Sequence, residues 1–530
     1  MHEKADIIVD KHRVAAATNA VTNLSGATLG NVTLVGAGIV ASTINSTGKA
    51  NTTAVIDLLA SKTITINADA NLTAASIATT AASSSLIVKG AAAKINVGIL
   101  DSDITTVDAS GLNAGGLTAT LTTGVTSFKG GAGADAVTTA AVTGAAGSID
   151  GGAGADRLIV AVATDVDSAA KAARFVNFEE VASNGVNLDL STFASVTKII
   201  TQGTTTLDKV SAALAGNIVV NGGATPTINV IGATNVGQLD TIALTVSDEV
   251  AAKSTIALGN INAAGVETIN INAVDNATVT LLTGATALTN MNLSGAGDFI
   301  VTTGALALNV NTKIDASAAT GTVTINATAA TTNGVDIIGT ASAKVNTLTG
   351  SAQADKLTGG AGDDILSGLA GNDIIIGNAG KDTITGGLGA DTLTGGADAD
   401  VFVFTTLVDS LVGAAAVTGG DSITDFVSGV DDFKVGGTIA AAVATTGGLK
   451  QGATYTAAGT GNLGTDIGAA ITAGGAMIAS GAAVVTITGT GAGTYLVIND
   501  AVGIFDASAD AVIQLIGTSS TTLVAGDFIA

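Results

Sequence analysis

The chain contains no cysteine and no tryptophan, and it has one proline (Pro226) and two histidines (His2 and His12) in 530 residues. Without cysteine there is no disulfide framework, so a secreted form must be stabilised in another way. Two histidines near one end cannot supply a zinc-binding H-E-x-x-H helix, and HEKAD at His2 lacks the second histidine. Nor do they furnish a serine–histidine triad around a G-x-S-x-G elbow. Aromatic residues are 2% of the chain, which argues against a thick globular interior and against the stacking platforms of a carbohydrate-active enzyme. No enzyme is expected. The 20 lysines and arginines are scattered and form no basic stripe, so nucleic acid is not a partner. Mean hydropathy is +0.55, yet Thr, Ser, Asn and Gly interrupt every apolar run before about 18 residues, and no transmembrane segment is expected. The opening MHEKADIIVDKHRV is charged and lacks the apolar core of a secretory signal peptide.

What remains is acidic and small. Net charge is −23, and of 43 acidic residues only Glu3, Glu179, Glu180, Glu249 and Glu267 are glutamate. The shorter carboxylate suits turns and metal loops better than helix surfaces. Hydrophobic residues make up 47% of the chain. They are mostly Ala, Val, Ile and Leu, which with Thr suit thin stacked strands. A chain of this length exceeds one ordinary core, so several domains or an elongated repeat are expected.

The strongest signal is a period of nine. Asp355, Asp364, Asp373, Asp382, Asp391 and Asp400 recur without a slip, each followed two residues later by an apolar side chain: Leu357, Leu366, Ile375, Ile384, Leu393 and Phe402. Glycine fills the turn ahead of each aspartate: Gly359, Gly360 and Gly362; Gly368 and Gly371; Gly377 and Gly380; Gly386, Gly387 and Gly389. One inward apolar residue flanked by outward small polar ones makes a very short strand. The glycines permit positive φ and close backbone approach, so a tight turn follows. Two nonapeptides then complete one coil of a flattened right-handed helix of strands. Asp355, Asp373 and Asp391 fall on one edge, and Asp364, Asp382 and Asp400 on the other. Carboxylates stacked at about 4.8 Å repel. A cation with several hard oxygen ligands removes that penalty, and calcium accepts carboxylates and carbonyls at about 2.3–2.6 Å in flexible geometry where magnesium demands a strict octahedron. The outer copies, GSAQADKLT from Gly350 and GGADADVFV from Gly395, depart from the pattern as end caps do.

The repeat GGxGxDxUx identifies the chain as resembling the RTX exoproteins, whose nonapeptides form a calcium-binding β-roll. Two separate copies extend the resemblance: GGAGADAVT with Gly130, Gly131, Gly133 and Asp135, and GGAGADRLI with Gly151, Gly152, Gly154 and Asp156. Each alone is half a coil, so these are calcium ligands if neighbouring strands complete the site and surface turns otherwise. GDSITDFVSGVDDFKV, from Gly420 to Val435, resembles the cap that follows the roll in RTX proteins. Within it, Phe426 and Phe433 plug the open end, and Asp421 and Asp425 complete a last calcium site. Thr494 to Gly517 and the ending LVAGDFIA resemble the final strands and signal of proteins exported by type I secretion, which accounts for the missing leader.

The expected fold is all-β: an elongated β-solenoid or β-sandwich-like body, a C-terminal parallel β-roll and a β cap. Four regions are expected. Residues 1–184 are β-rich and hold the two isolated nonapeptides; 185–346 are quasi-repetitive; 347–435 are roll and cap; 436–530 are a β module with the export signal. Phrases such as GVETININA (from Gly265), NATVTLL (from Asn276) and KIDASAATGTVTINA (from Lys313) alternate with period two; the asparagines among them fit either ladders or turns, and turns are the safer assignment. This Thr/Ala/Gly/Asn-rich body resembles RTX surface-layer proteins. That resemblance implies a secreted structural protein on the surface of a Gram-negative bacterium, with partners in copies of itself, the type I export machinery, and lipopolysaccharide or another surface glycan. An RTX adhesin is the alternative.

Overall fold

The computed structural model describes residues 7–10, 18–222, 226–230, 240–303, 312–404, 420–435, 449–456, 467, 469, 471, 481–499 and 510–529, less 27, 36–38, 93, 143–145, 194, 249–253, 259–264, 282–286, 331, 489–491 and 517–522. His2, His12 and the 500–509 portion of the terminal phrase lie outside the described residues. The chain divides into two compact units, Met1–Ile231 and Gly232–Ala530.

Both units are parallel β-solenoids. In the first, each strand pairs in parallel with the next but one, so two faces grow side by side. Leu72–Ala78, Lys94–Leu100, Gly116–Leu121, Ala136–Thr139, Arg157–Val160 and Glu180–Asn184 succeed one another on one face. Ile39–Thr47, Thr63–Ala68, Ser84–Gly90, Ile104–Leu112, Ser127–Lys129 and Ser148–Asp150 do so on the other. Period-two alternation is what builds them: in Thr63–Ala68, Ile64, Ile66 and Ala68 point inward and are buried, while Thr63, Thr65 and Asn67 face out. The lone proline begins the strand Pro226–Val230 at the margin of a three-stranded sheet, where its missing N–H costs least.

The second unit follows the same plan through the nonapeptide region. One face stacks Val335–Ile338, Lys356–Thr358, Ile374–Ala379 and Thr392–Ala397. The other stacks Val323–Asn326, Asn346–Thr349, Ile365–Ala370, Thr383–Leu388 and Val401–Phe404. The parallel pairing of 255–326 selects a solenoid over sandwich modules. The asparagines here do not all sit in turns. Asn270 and Asn292 occupy facing strand positions, and Asn292 Nδ2 donates to Asn270 Oδ1 at 2.8 Å. Stacked amides satisfy one another at strand spacing, which makes an outward strand position as good as a turn for them.

The roll's core takes Leu357, Ile375 and Leu393 under one face and Leu366, Ile384 and Phe402 under the other, with Phe404 also buried in the last of these strands. Its far end is closed by aromatics. Phe426 stacks on Phe433 at 4.3 Å, Phe433 on Phe528 at 5.5 Å, and Phe402 meets Phe426 at 6.1 Å. Phe528–Ile529 pairs in parallel with Phe433 and Lys434 as the last strand of that face. The other face passes through Ser422–Ile423 to Ala511–Leu515, which belongs to an antiparallel sheet with Gly493–Ile498 and Ala482–Thr488. Among the described residues no helix is long and apolar enough to cross a membrane.

Candidate metal centres

The nine-residue period places the aspartates in two columns, one along each edge of the roll. On the first edge the backbone N–H of Asp355 donates to Asp373 Oδ1 at 2.7 Å, that of Asp373 to Asp391 Oδ1 at 2.8 Å, and that of Asp391 to Asp421 Oδ1 at 2.9 Å. On the second, Asp364 N–H donates to Asp382 Oδ1 at 2.7 Å, Asp382 N–H to Asp400 Oδ1 at 2.9 Å, and Asp400 N–H to Asp431 Oδ1 at 3.0 Å. Each carboxylate therefore reaches back one coil and fixes the strand start below it. All of these aspartates are buried.

One oxygen of each carboxylate is used in this way, and the fate of the second differs along the columns. Asp355 and Asp364 are satisfied by the protein: Asp355 Oδ2 accepts from Ser351 N–H, and Asp364 Oδ2 from Gly360 N–H at 2.6 Å. The buried Oδ2 atoms of Asp373 and Asp382 have no hydrogen-bond partner. Leaving such an atom dry and unpaired costs several kcal/mol for a charge, so it calls for a proton or a cation. Burial, with the charges of Asp391 and Asp355 above and below, pushes the Asp373 carboxyl up to about 7. Burial likewise holds Asp382 and Asp400 at about 7, with neighbouring aspartates adding to the rise.

The glycines frame those oxygens in two different ways. Gly371, Gly380 and Gly389 have φ of 125°, 109° and 142°, the left-handed conformation that tight turns need. Gly368 and Gly377 are instead required for space. A Cβ on Gly368 would strike Asp373 Oδ2 and lie 2.7 Å from the Gly386 carbonyl oxygen, and one on Gly377 would strike Asp382 Oδ2 and lie 2.5 Å from the Gly395 carbonyl. A carboxylate and a carbonyl from adjacent coils thus converge on the hollow that each glycine leaves. This oxygen-only donor set fits calcium. Among the described residues no three acidic or histidine side chains gather at one point; the ligands offered are carboxylates together with main-chain carbonyls. Residues 340–375 and 367–402 each match the family model described as the RTX calcium-binding nonapeptide repeat (4 copies).

Residues 340–402 are an RTX repeat region. No curated protein matches the chain. Calcium is the ion that the RTX repeat binds.

The cap places its acids differently from the sequence pattern. Asp421 is the next member of the first RTX column. Asp425 does not join the second. Its oxygens accept from Gly395 N–H at 3.0 Å and Gly396 N–H at 2.8 Å, so it ties down the last glycine turn. Asp431 ends that column instead, accepting also from Val427 N–H at 2.8 Å. The step from Asp400 to Asp431 is 31 residues, so no period pointed to it; only the doubled aspartate at 431–432 hinted at a second candidate.

The upstream nonapeptides sit on consecutive coils of the first unit. Asp135 N–H donates to Asp156 Oδ1 at 2.8 Å, while Asp135 itself accepts from Leu117 N–H and, through Oδ2, from Gly131 N–H at 2.7 Å. Gly152 and Gly154 carry positive φ of 101° and 141°. A Cβ on Gly130 would strike the Gly151 carbonyl and Asp135 Oδ2, and one on Gly133 would press on the backbone of Ala114 and Gly115. The two half-coils therefore stack as the roll's coils do.

Proposed function

We propose that the protein is a secreted calcium-binding structural protein that folds outside the cell as calcium binds and then assembles with copies of itself into a surface layer. Calcium supply explains the timing. The export apparatus passes an unfolded chain, and the two columns of buried carboxylates oppose folding until cations arrive. Extracellular calcium near the ~10⁻⁴–10⁻³ M affinity of external modules then drives folding by binding the folded state alone.

The observation that carries the assembly reading is the outward surface of the roll. On one face a single row runs through Ile300, Thr324, Thr347, Ile365, Thr383 and Val401 in register. Ile300 and Ile365 are about half exposed, at 48% and 50%. A flat parallel sheet that shows methyl and hydroxyl groups, with no large anchor, supports broad contact between copies better than it supports a pocket for a small ligand. Export by a C-terminal signal, and anchoring through lipopolysaccharide or another glycan, belong to the same reading.

Electron microscopy of the purified full chain with millimolar calcium and with chelator tests it. Ordered sheets in calcium and single particles in chelator are expected. Particles that stay single in calcium while binding cells or glycans point to the adhesin.

A further inference from the structure

The coil that follows the two upstream nonapeptides, VNFEEV from Val176 to Val181, has no glycine turn and no aspartate. It nevertheless takes the next place in their column. Glu179 Oε2 accepts from Asp156 N–H at 2.9 Å, the same bond that each aspartate makes to the coil before it. Asn177 stands where the repeat would carry glycine and holds the left-handed conformation, with φ of 56°. Its amide is fastened away from the column, donating to Asp150 Oδ1 at 2.7 Å. Its carbonyl faces the hollow beside Gly151, where a Cβ would strike it and lie 3.0 Å from Asp156 Oδ2.

That Oδ2 atom is the independent sign of a ligand. Asp156 is wholly buried, its Oδ1 is taken by Asp135 N–H, and its Oδ2 has no partner. Asp135, one coil earlier, has both oxygens occupied by backbone donors. Arg157, which follows Asp156, pairs with Glu180 at 2.7 Å. Asp156 Oδ2 and the Asn177 carbonyl thus border one hollow, and the Glu179 carboxylate lies at the Asp156 backbone beside it. Asn177 is exposed and Glu179 half-buried, which leaves an approach from solvent.

We propose that Asp156, Glu179 and the Asn177 carbonyl form a calcium site that ends the carboxylate column of the first unit. The site rests on the reading that the glycine-and-aspartate cradle of the roll holds calcium. It goes beyond that reading because its closing ligands come from a coil outside the nonapeptide pattern. The solvent side would be completed by water, as calcium's six to eight ligands allow.

Calcium bound per full-length chain, measured by equilibrium dialysis, tests it in three proteins: the wild type, Glu179→Gln and Asp373→Asn/Asp382→Asn. Glutamine keeps an acceptor for Asp156 N–H, so Glu179→Gln should melt like the wild type in chelator. It should bind one calcium fewer and lose part of the calcium-induced rise in melting temperature. A full calcium count in Glu179→Gln overturns the site, as does an equal loss of stability with and without calcium, because Glu179 would then be a backbone cap only. The roll variant separates the two readings. If it too keeps every calcium ion, the cradle reading has failed; if it alone loses them, only the upstream site has.

Discussion

Asp355 and Asp373 stand in the same column, one coil apart, yet Ser351 satisfies the second oxygen of Asp355 while that of Asp373 is left dry. That bond comes from the Ser351 main chain, as Gly360 supplies it to Asp364, and the serine hydroxyl adds a bond to Asp355 Oδ1, so Asp355 is held by the protein without an ion. Asp373→Asn or Asp382→Asn is expected to raise the calcium concentration for half-folding by about tenfold, near 1.4 kcal/mol, and Asp355→Asn by much less. Calcium titrations followed by circular dichroism of the full chain check this, and equal shifts would remove the distinction. The second position of the nonapeptide also holds a strained residue. Gly387 and Gly396 take φ of 106° and 112° there, and Leu369 is held at 83°. A left-handed leucine costs about 1–2 kcal/mol, part of which glycine loses again through its greater freedom when unfolded. Leu369→Gly should therefore stabilise the calcium-loaded protein by roughly 0.5–1 kcal/mol, read as a higher unfolding midpoint in denaturant.

At the scale of the roll, calcium and protons compete to neutralise the same columns. Burial holds Asp373, Asp382 and Asp400 near 7 in the folded state, against 3.8 for a free aspartate. A raised carboxyl binds more protons folded than unfolded, so its stabilising effect is complete below the unfolded value and disappears as pH climbs through the folded one. In calcium-free buffer the roll should accordingly be more folded at about pH 5 than at about pH 8. With calcium the order should reverse, because protons then displace the ion. A calcium-free roll that gains structure on going from acid to alkaline pH would contradict the burial of these columns. The cap adds a second element-level expectation. Phe433 touches Phe404, Phe426 and Phe528, so Phe433→Ala should cost about 3–5 kcal/mol in saturating calcium, measured by equilibrium unfolding.

At the scale of the whole chain, how much could be read from the sequence depended on the regularity of the coil. In the roll the column step is 18 residues, as between Asp355 and Asp373, and the spacing alone assigns edges, inward residues and turn glycines. Upstream the same two-faced coil is built with steps of 22 residues between Asn45 and Asn67, 23 between Asp156 and Glu179, and 27 between Asp240 and Glu267. Spacers of unequal length leave the strands visible as alternating phrases but hide which strand lies over which. For the same reason Glu179 and Asp431 were not legible as column members. The acidity, in contrast, was plain throughout, and it bears on assembly. A chain of net charge −23 repels its copies in dilute buffer. Monovalent salt shortens the Debye length to about 3 Å at 1 M and so weakens that repulsion between surfaces, but it supplies no ligand-seeking charge to carboxylates buried between coils. Molar sodium chloride without calcium should therefore leave the roll unfolded and the protein monomeric at neutral pH. Millimolar calcium at low salt should fold it and raise light scattering, with magnesium a poor substitute because it resists a flexible carbonyl-rich site. If sodium chloride alone produces the assemblies, association is driven by screening of surface charge, and calcium's part is confined to folding.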